Sequence, residues 1–194
     1  MFHTVRQIRS IRRSVTRSTL SKLISSFVVS KLDYCNVALT GLPSCDLDHL
    51  QSVINAAIRL TVGAQRHDHI TPLFADLHCL RIPQRIQYKL CVLVYQCGQG
   101  SPPSYLQNAI CPIASTESRH RLRSASSADL IVLATRRTTL GDRAFAVAAR
   151  RAWNSLPDAI RRSPSLADFR RSLKTHFYIH THTRLTALFP GLPR

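Results

Sequence analysis

Along residues 1–100 apolar side chains recur at intervals of three and four, the spacing that lines one face of an α-helix. If the opening segment is helical, Val5, Ile8, Ile11 and Val15 share a face and Arg6, Arg9, Arg13 and Arg17 form a stripe opposite. Leu20, Leu23, Ile24, Phe27, Val28, Leu32, Cys35 and Leu39 continue the pattern and predict one long helix, with Ser18 as N-cap and Gly41 and Pro43 as the stop. Ser44 then caps a helix with Asp46 and Asp48 in its first turn, where carboxylates suit the helix dipole. Its apolar face is Leu47, Leu50, Ile54, Ala57, Ile58 and Thr61, and Gly63 ends it. Thr71-Pro72 predicts an N-cap and first helical position, opening a short helix through Leu73, Phe74 and Leu77. Pro83 opens the next, whose residues Tyr88, Leu90, Cys91, Val92, Leu93, Val94 and Tyr95 are apolar nearly all round, so it is the expected centre of the core.

The periodicity fails between Ser101 and Thr139, where prolines punctuate the chain, Ser and Arg accumulate, and only Leu130 to Ala134 reads as a strand. Asp142 then caps a helix through Phe145, Val147, Ala148 and Trp153, and Ser165 caps a last helix bearing Leu166, Phe169 and Leu173. The expected architecture is mainly α: an irregular helical bundle over 1–100, a basic loop or short hairpin over 101–141, a C-terminal helical segment over 142–178, and a frayed, disordered tail over 179–194.

Composition narrows the class. A hydrophobic fraction of 44% in 194 residues is that of a globular chain able to bury one ordinary core. The formal charge of +17 favours a polyanionic partner. Most of the 27 basic residues are arginine, which forks onto phosphate oxygens and stacks on bases, so nucleic acid is favoured over a membrane surface. The longest early apolar run, Leu23 to Ser30, falls far short of the ~20 residues of a membrane span. Six cysteines without a CxxC pair read as reduced, mostly packed thiols. Nuclear or cytoplasmic location is expected; the acid-free, Arg- and Ser-rich segment Met1 to Lys22 keeps a mitochondrial presequence as a minor alternative.

Catalytic chemistry finds little footing. Nucleotidyl transfer needs paired carboxylates to hold two metal ions, and the chain has ten acidic residues and no Asp-Asp pair. His67, Asp68, His69, His78 and Cys79 match no metal-ligand spacing, and His176, His180 and His182 lack an acidic or cysteine neighbour. Cys35 has no adjacent histidine and reads as a packing residue. Neither phosphate-cradling glycine motif occurs, so no cofactor is expected. What remains is arginine: the stripe Arg6, Arg9, Arg13 and Arg17; then Arg119, Arg121 and Arg123; then Arg136, Arg137, Arg143, Arg150 and Arg151. Each alone reads as a solvated charge, but several clusters with few acids among them read as phosphate contacts.

The order of motifs carries a resemblance. Ser30-Lys31-Leu32-Asp33-Tyr34-Cys35-Asn36 followed by Gly41-Leu42-Pro43, then Leu50-Gln51-Ser52-Val53-Ile54-Asn55-Ala56-Ala57-Ile58-Arg59-Leu60, resemble successive blocks of non-LTR (LINE, jockey-like) retrotransposon reverse transcriptases. His69-Ile70-Thr71-Pro72, Arg85-Ile86-Gln87-Tyr88-Lys89-Leu90, Trp153-Asn154-Ser155-Leu156-Pro157 and Phe169-Arg170-Arg171-Ser172-Leu173 are similar to later ones, and Cys79 stands where the family has Trp. The resemblance spans about residues 2–178. It implies the region after the polymerase palm: a thumb-like helical bundle plus a C-terminal extension, with the metal-binding aspartates of the family lying upstream. The resulting expectation is a catalytically inactive fragment of an RNA-directed DNA polymerase that binds RNA or an RNA–DNA hybrid non-specifically through arginine-rich faces, with no membrane partner. The alternative is a helical protein-interaction module, using surface once covered by the palm, or a translated relic without function.

Overall fold

The computed structural model describes residues 1–100, 103, 105, 106, 110, 129–132, 134–136 and 141–188, with 180–188 by backbone alone. It is mainly helical, an irregular helical bundle, and no strand forms among the described residues. The chain divides into two compact units, Met1–Arg85 and Ile86–Arg194, so the boundary falls inside a helix rather than in the glycines near residue 100.

In the first unit α1 (Phe2–Ser10) buries Val5 and Ile8. It stops sooner than the sequence pattern suggests: Arg12–Ser14 form a 3₁₀ turn, Val15 is extended, and Ile11 is 44% exposed rather than packed. Helix α2 (Arg17–Ile24) is capped by Thr16, whose side chain accepts from the Thr19 N–H, not by Ser18. The expected long helix is broken. Ser25–Val29 form a π turn, α3 is only Ser30–Asp33, Cys35 adopts a left-handed φ of 52°, and Asn36–Leu39 make a 3₁₀ turn. The wider π turn brings residues four apart into line, so Leu20, Ile24, Val28 and Leu32 are buried while Phe27 is turned out to 49% exposure. Cys35, expected to point inward, is exposed because the helix has ended before it.

Helix α4 (Ser44–Val62) buries Val53, Ile54, Ala57, Ile58, Leu60 and Thr61. Pro43 is its N-cap residue and Ser44 its first helical residue. Gly63 terminates it at φ 89°, and the N–H groups of Gly63 and Ala64 both donate to the Arg59 carbonyl. Helix α5 (Ile70–Asp76) starts one residue before the expected Thr71 cap; the Thr71 hydroxyl instead accepts from Arg81. Helix α6 (Ile82–Gly98) follows. Within the first unit the Arg85 guanidinium grips both Asp33 oxygens at 2.6 Å and donates to the Leu80 carbonyl, tying the end of α3 to the start of α6. Burial works against the Arg85 charge, but the hydrogen bonds and charge interactions with Asp33 and Cys79 together outweigh it and raise the pKa.

The second unit packs α6 from Ile86 onward with α7 (Phe145–Asn154), α8 (Asp158–Arg161) and α9 (Leu166–Leu188). Phe169, fully buried, stacks on Tyr95 with centroids 4.4 Å apart and lies 5.8 Å from Trp153. The Tyr95 hydroxyl donates to the Ser163 carbonyl. Ser165 caps α9 as expected, accepting from the Asp168 N–H while its hydroxyl donates to the Asp168 carboxylate. Three expectations are corrected. Asp142 does not cap α7, whose N-cap is Ala144; its carboxylate accepts from Thr135 and Arg151 instead. The strand predicted over Leu130 to Ala134 is not formed among its described residues: Leu130 makes an isolated β-bridge, and the Asn154 side chain accepts from its N–H at 2.9 Å and donates to its carbonyl at 2.8 Å. The tail predicted to fray beyond Tyr178 stays helical to Leu188.

Candidate nucleic-acid interface

The first unit brings four of its arginines together at one place. No acidic residue precedes Asp33, so the first helices carry arginine and lysine alone. Arg6, Arg9, Arg12, Arg13 and Arg17 are all exposed. Helix α1 packs on α4 through Val5 and Ile8, and the seam between them leaves a cleft of about 520 Å³. It is lined by Phe2, Val5, Arg9 and Arg12 on one side and by Ser52, Asn55, Ala56, Arg59, Leu60, Ala64 and Arg66 on the other. Four guanidinium groups therefore meet at one recess with no carboxylate in its wall.

Each arginine has a physical reason for its position. The Arg59 Nη2 donates to the Asp68 carbonyl at 3.2 Å, which closes the loop after α4 over the cleft edge. Its Nε is buried without a hydrogen-bond partner. Asp68, the nearest acid along that loop, is turned away: its carboxylate accepts from the Gln65 N–H at 2.6 Å and lies 3.7 Å from the His67 ring. The Arg12 guanidinium sits against Gly63 at the end of α4, where a Cβ would meet its Nη2 at 2.4 Å and oblige it to shift. That end of a helix carries partial negative charge, which suits a cation. Arg66 is exposed on the same loop.

Among the sequence-predicted residues, the structure brings only Arg9 into this cleft. Arg6, Arg13 and Arg17 stand exposed nearby in the chain, but the predicted single stripe is interrupted where α1 ends at Ser10. Arg12, Arg59 and Arg66 were not among the candidates; Arg59 lies within one of the family-like motifs, yet nothing in the spacing links it to α1. Arg119, Arg121, Arg123 and Arg137 lie outside the described residues.

In the second unit the candidates fare differently. Arg150 is 2% exposed and its Nη1 donates to the Ile131 carbonyl at 2.6 Å, so it braces a loop and is withdrawn as a phosphate ligand. Arg151 is engaged with Asp142 at 2.9 Å, and hydrogen bonds from Arg151 and Thr135 hold that carboxyl below its ordinary range. Arg161, nearly buried, pairs with Asp129 and lies 3.6 Å from Asp158, while Arg162 takes the other Asp158 oxygen at 2.7 Å. Arg136 is exposed and Arg143 half-buried.

Other chemistry has no visible seat among the described residues. No group of three or more His, Cys, Asp or Glu side chains gathers to hold a metal ion, and no helix is long and apolar enough to cross a membrane. Burial pushes the Cys91 thiol up to about 12, the opposite of what a nucleophile needs. No protein-family model, curated protein or solved structure matches this chain.

Proposed function

We propose that the chain is a catalytically inactive C-terminal portion of a non-LTR retrotransposon reverse transcriptase that binds the backbone of RNA or an RNA–DNA hybrid. The ordered motifs from Ser30 to Leu173 motivate the family reading. The single observation that supports binding is the convergence of Arg9, Arg12, Arg59 and Arg66 on a cleft without a carboxylate. Like charges gathered this way repel one another, and a polyanion relieves the repulsion while gaining charge-assisted hydrogen bonds. Contacts to phosphate carry no sequence information, so recognition rests on shape and charge.

Charge reversal tests the reading. Fluorescence anisotropy with a labelled RNA–DNA hybrid at low salt should give measurable affinity for the native chain and at least a tenfold loss for Arg9→Glu with Arg12→Glu, roughly the cost of two phosphate contacts. Equal affinity of the double variant, or no binding by the native chain, refutes it.

A further inference from the structure

We infer that the α1–α4 cleft receives the phosphorylated end of a single strand, with the terminal phosphate among Arg9, Arg12, Arg59 and Arg66 and the last base against the Phe2 ring. The inference rests on the backbone-binding reading above and names the part of the nucleic acid that enters the recess. A flat stripe of arginines is enough for backbone phosphodiesters, each with one charge. A recess of about 520 Å³ lies within the roughly 300–1,000 Å³ of small-ligand sites and is sized for one nucleotide. Four guanidinium groups with no carboxylate in the cleft wall suit a terminal phosphate, which carries about −1.5 to −2 charges at neutral pH and three acceptor oxygens.

The polar wall is oriented for the same purpose. The Ile82 N–H donates to Gln51 Oε1 at 2.9 Å, which fixes the orientation of that amide. Gln51 Nε2 must then donate to Asn55 Oδ1, at 2.8 Å, leaving the NH₂ as the remaining polar group of the Asn55 side chain. A main-chain N–H thus sets, through two amides, a donor in the cleft wall. Phe2, 51% exposed on the rim, offers a face on which any base stacks.

Three versions of one short single-stranded oligonucleotide decide the matter by anisotropy at fixed salt: 5′-phosphorylated, 3′-phosphorylated and unphosphorylated, each labelled at an internal position. A terminal phosphate at one of the two ends should tighten binding about tenfold over the unphosphorylated strand, the scale of one added charge-assisted hydrogen bond. Arg66→Gln, an exposed position whose replacement should leave the far-ultraviolet circular dichroism unchanged, should cut that preference to about threefold or less, as should Asn55→Leu. Equal affinity for all three strands, with binding still salt-sensitive, overturns this inference and leaves backbone binding standing. Absence of binding to any strand or hybrid at low salt overturns both.

Discussion

In the first unit Arg9, Arg12 and Arg66 are exposed and lack an acidic partner among the described residues, whereas in the second Arg150 is buried on a carbonyl and Arg151, Arg161 and Arg162 are held by Asp142, Asp129 and Asp158. The same side chain serves two ends. Where acids and carbonyls are within reach, arginine staples loops to helices. Where the sequence withholds acids, as before Asp33, arginine stands exposed to solvent. The first unit also contains the contrast in miniature, since Arg85 is locked onto Asp33 while Arg12 rests on bare Gly63. Local density of arginine is therefore a poor guide to binding, and the partner of each guanidinium decides its role.

The largest expected effect breaks the comparison on stability. Arg150→Ala removes a nearly sealed guanidinium and orphans the Ile131 carbonyl, so urea denaturation should show a loss of about 3 kcal/mol. Arg9→Ala, at an exposed site, should stay within about 0.5 kcal/mol of the native chain. If the two variants melted alike, the structural and free classes would collapse into one. The converse holds for binding: Arg9→Ala with Arg12→Ala should weaken hybrid binding about tenfold, and Arg162→Ala, whose charge is spent on Asp158, should change it by less than about threefold.

How much of this was legible in the sequence differs by element. Helix α4 and its stop at Gly63 follow from strong periodicity and a glycine that takes φ 89°, both local signals. The break between α2 and α3 was hidden because a π turn keeps an apolar row at spacing four, which reads as unbroken helix. The cleft was hidden because Arg12, Arg59 and Arg66 meet only when α1 packs on α4, a long-range event that spacing does not encode. Arg150 did leave a signal: it sits three residues before Trp153 and so shares the buried face of α7, but its neighbour Arg151 made the pair look like a solvated stripe. The apolar run from Leu130 suggested a strand, but of it the described residues keep only a bridge at Leu130, which the Asn154 side chain also holds, a long-range contact that spacing does not encode.

Two smaller effects sharpen the contrast between buried and exposed groups. Burial raises Cys91 from 9.0 to about 12, so its share of stability is intact below pH 9 and is lost as the pH climbs toward 12, where the unfolded chain ionises first. Urea midpoints should therefore fall more steeply above pH 9 for the native chain than for Cys91→Val, and iodoacetamide should label exposed Cys35 and Cys45 in the folded protein while sparing Cys91. The smallest effect is at Asp142, whose lowered pKa adds stability above its ordinary value of 3.8 that is lost as the pH falls through the folded value. Asp142→Asn should flatten that acid limb, and an unchanged acid profile would mean that its bonds to Arg151 and Thr135 do not persist in solution.

If, as proposed, guanidinium groups of the first unit meet phosphates, the salt dependence of hybrid binding reads it most directly. The slope of log K against log salt should be steep and negative for the native chain, and replacing Arg9, Arg12 and Arg66 together by Gln should make it shallower by about two to three units, near 0.7–0.9 for each phosphate that is no longer neutralised. An unchanged slope in that triple variant, or an affinity indifferent to salt, would contradict the claim.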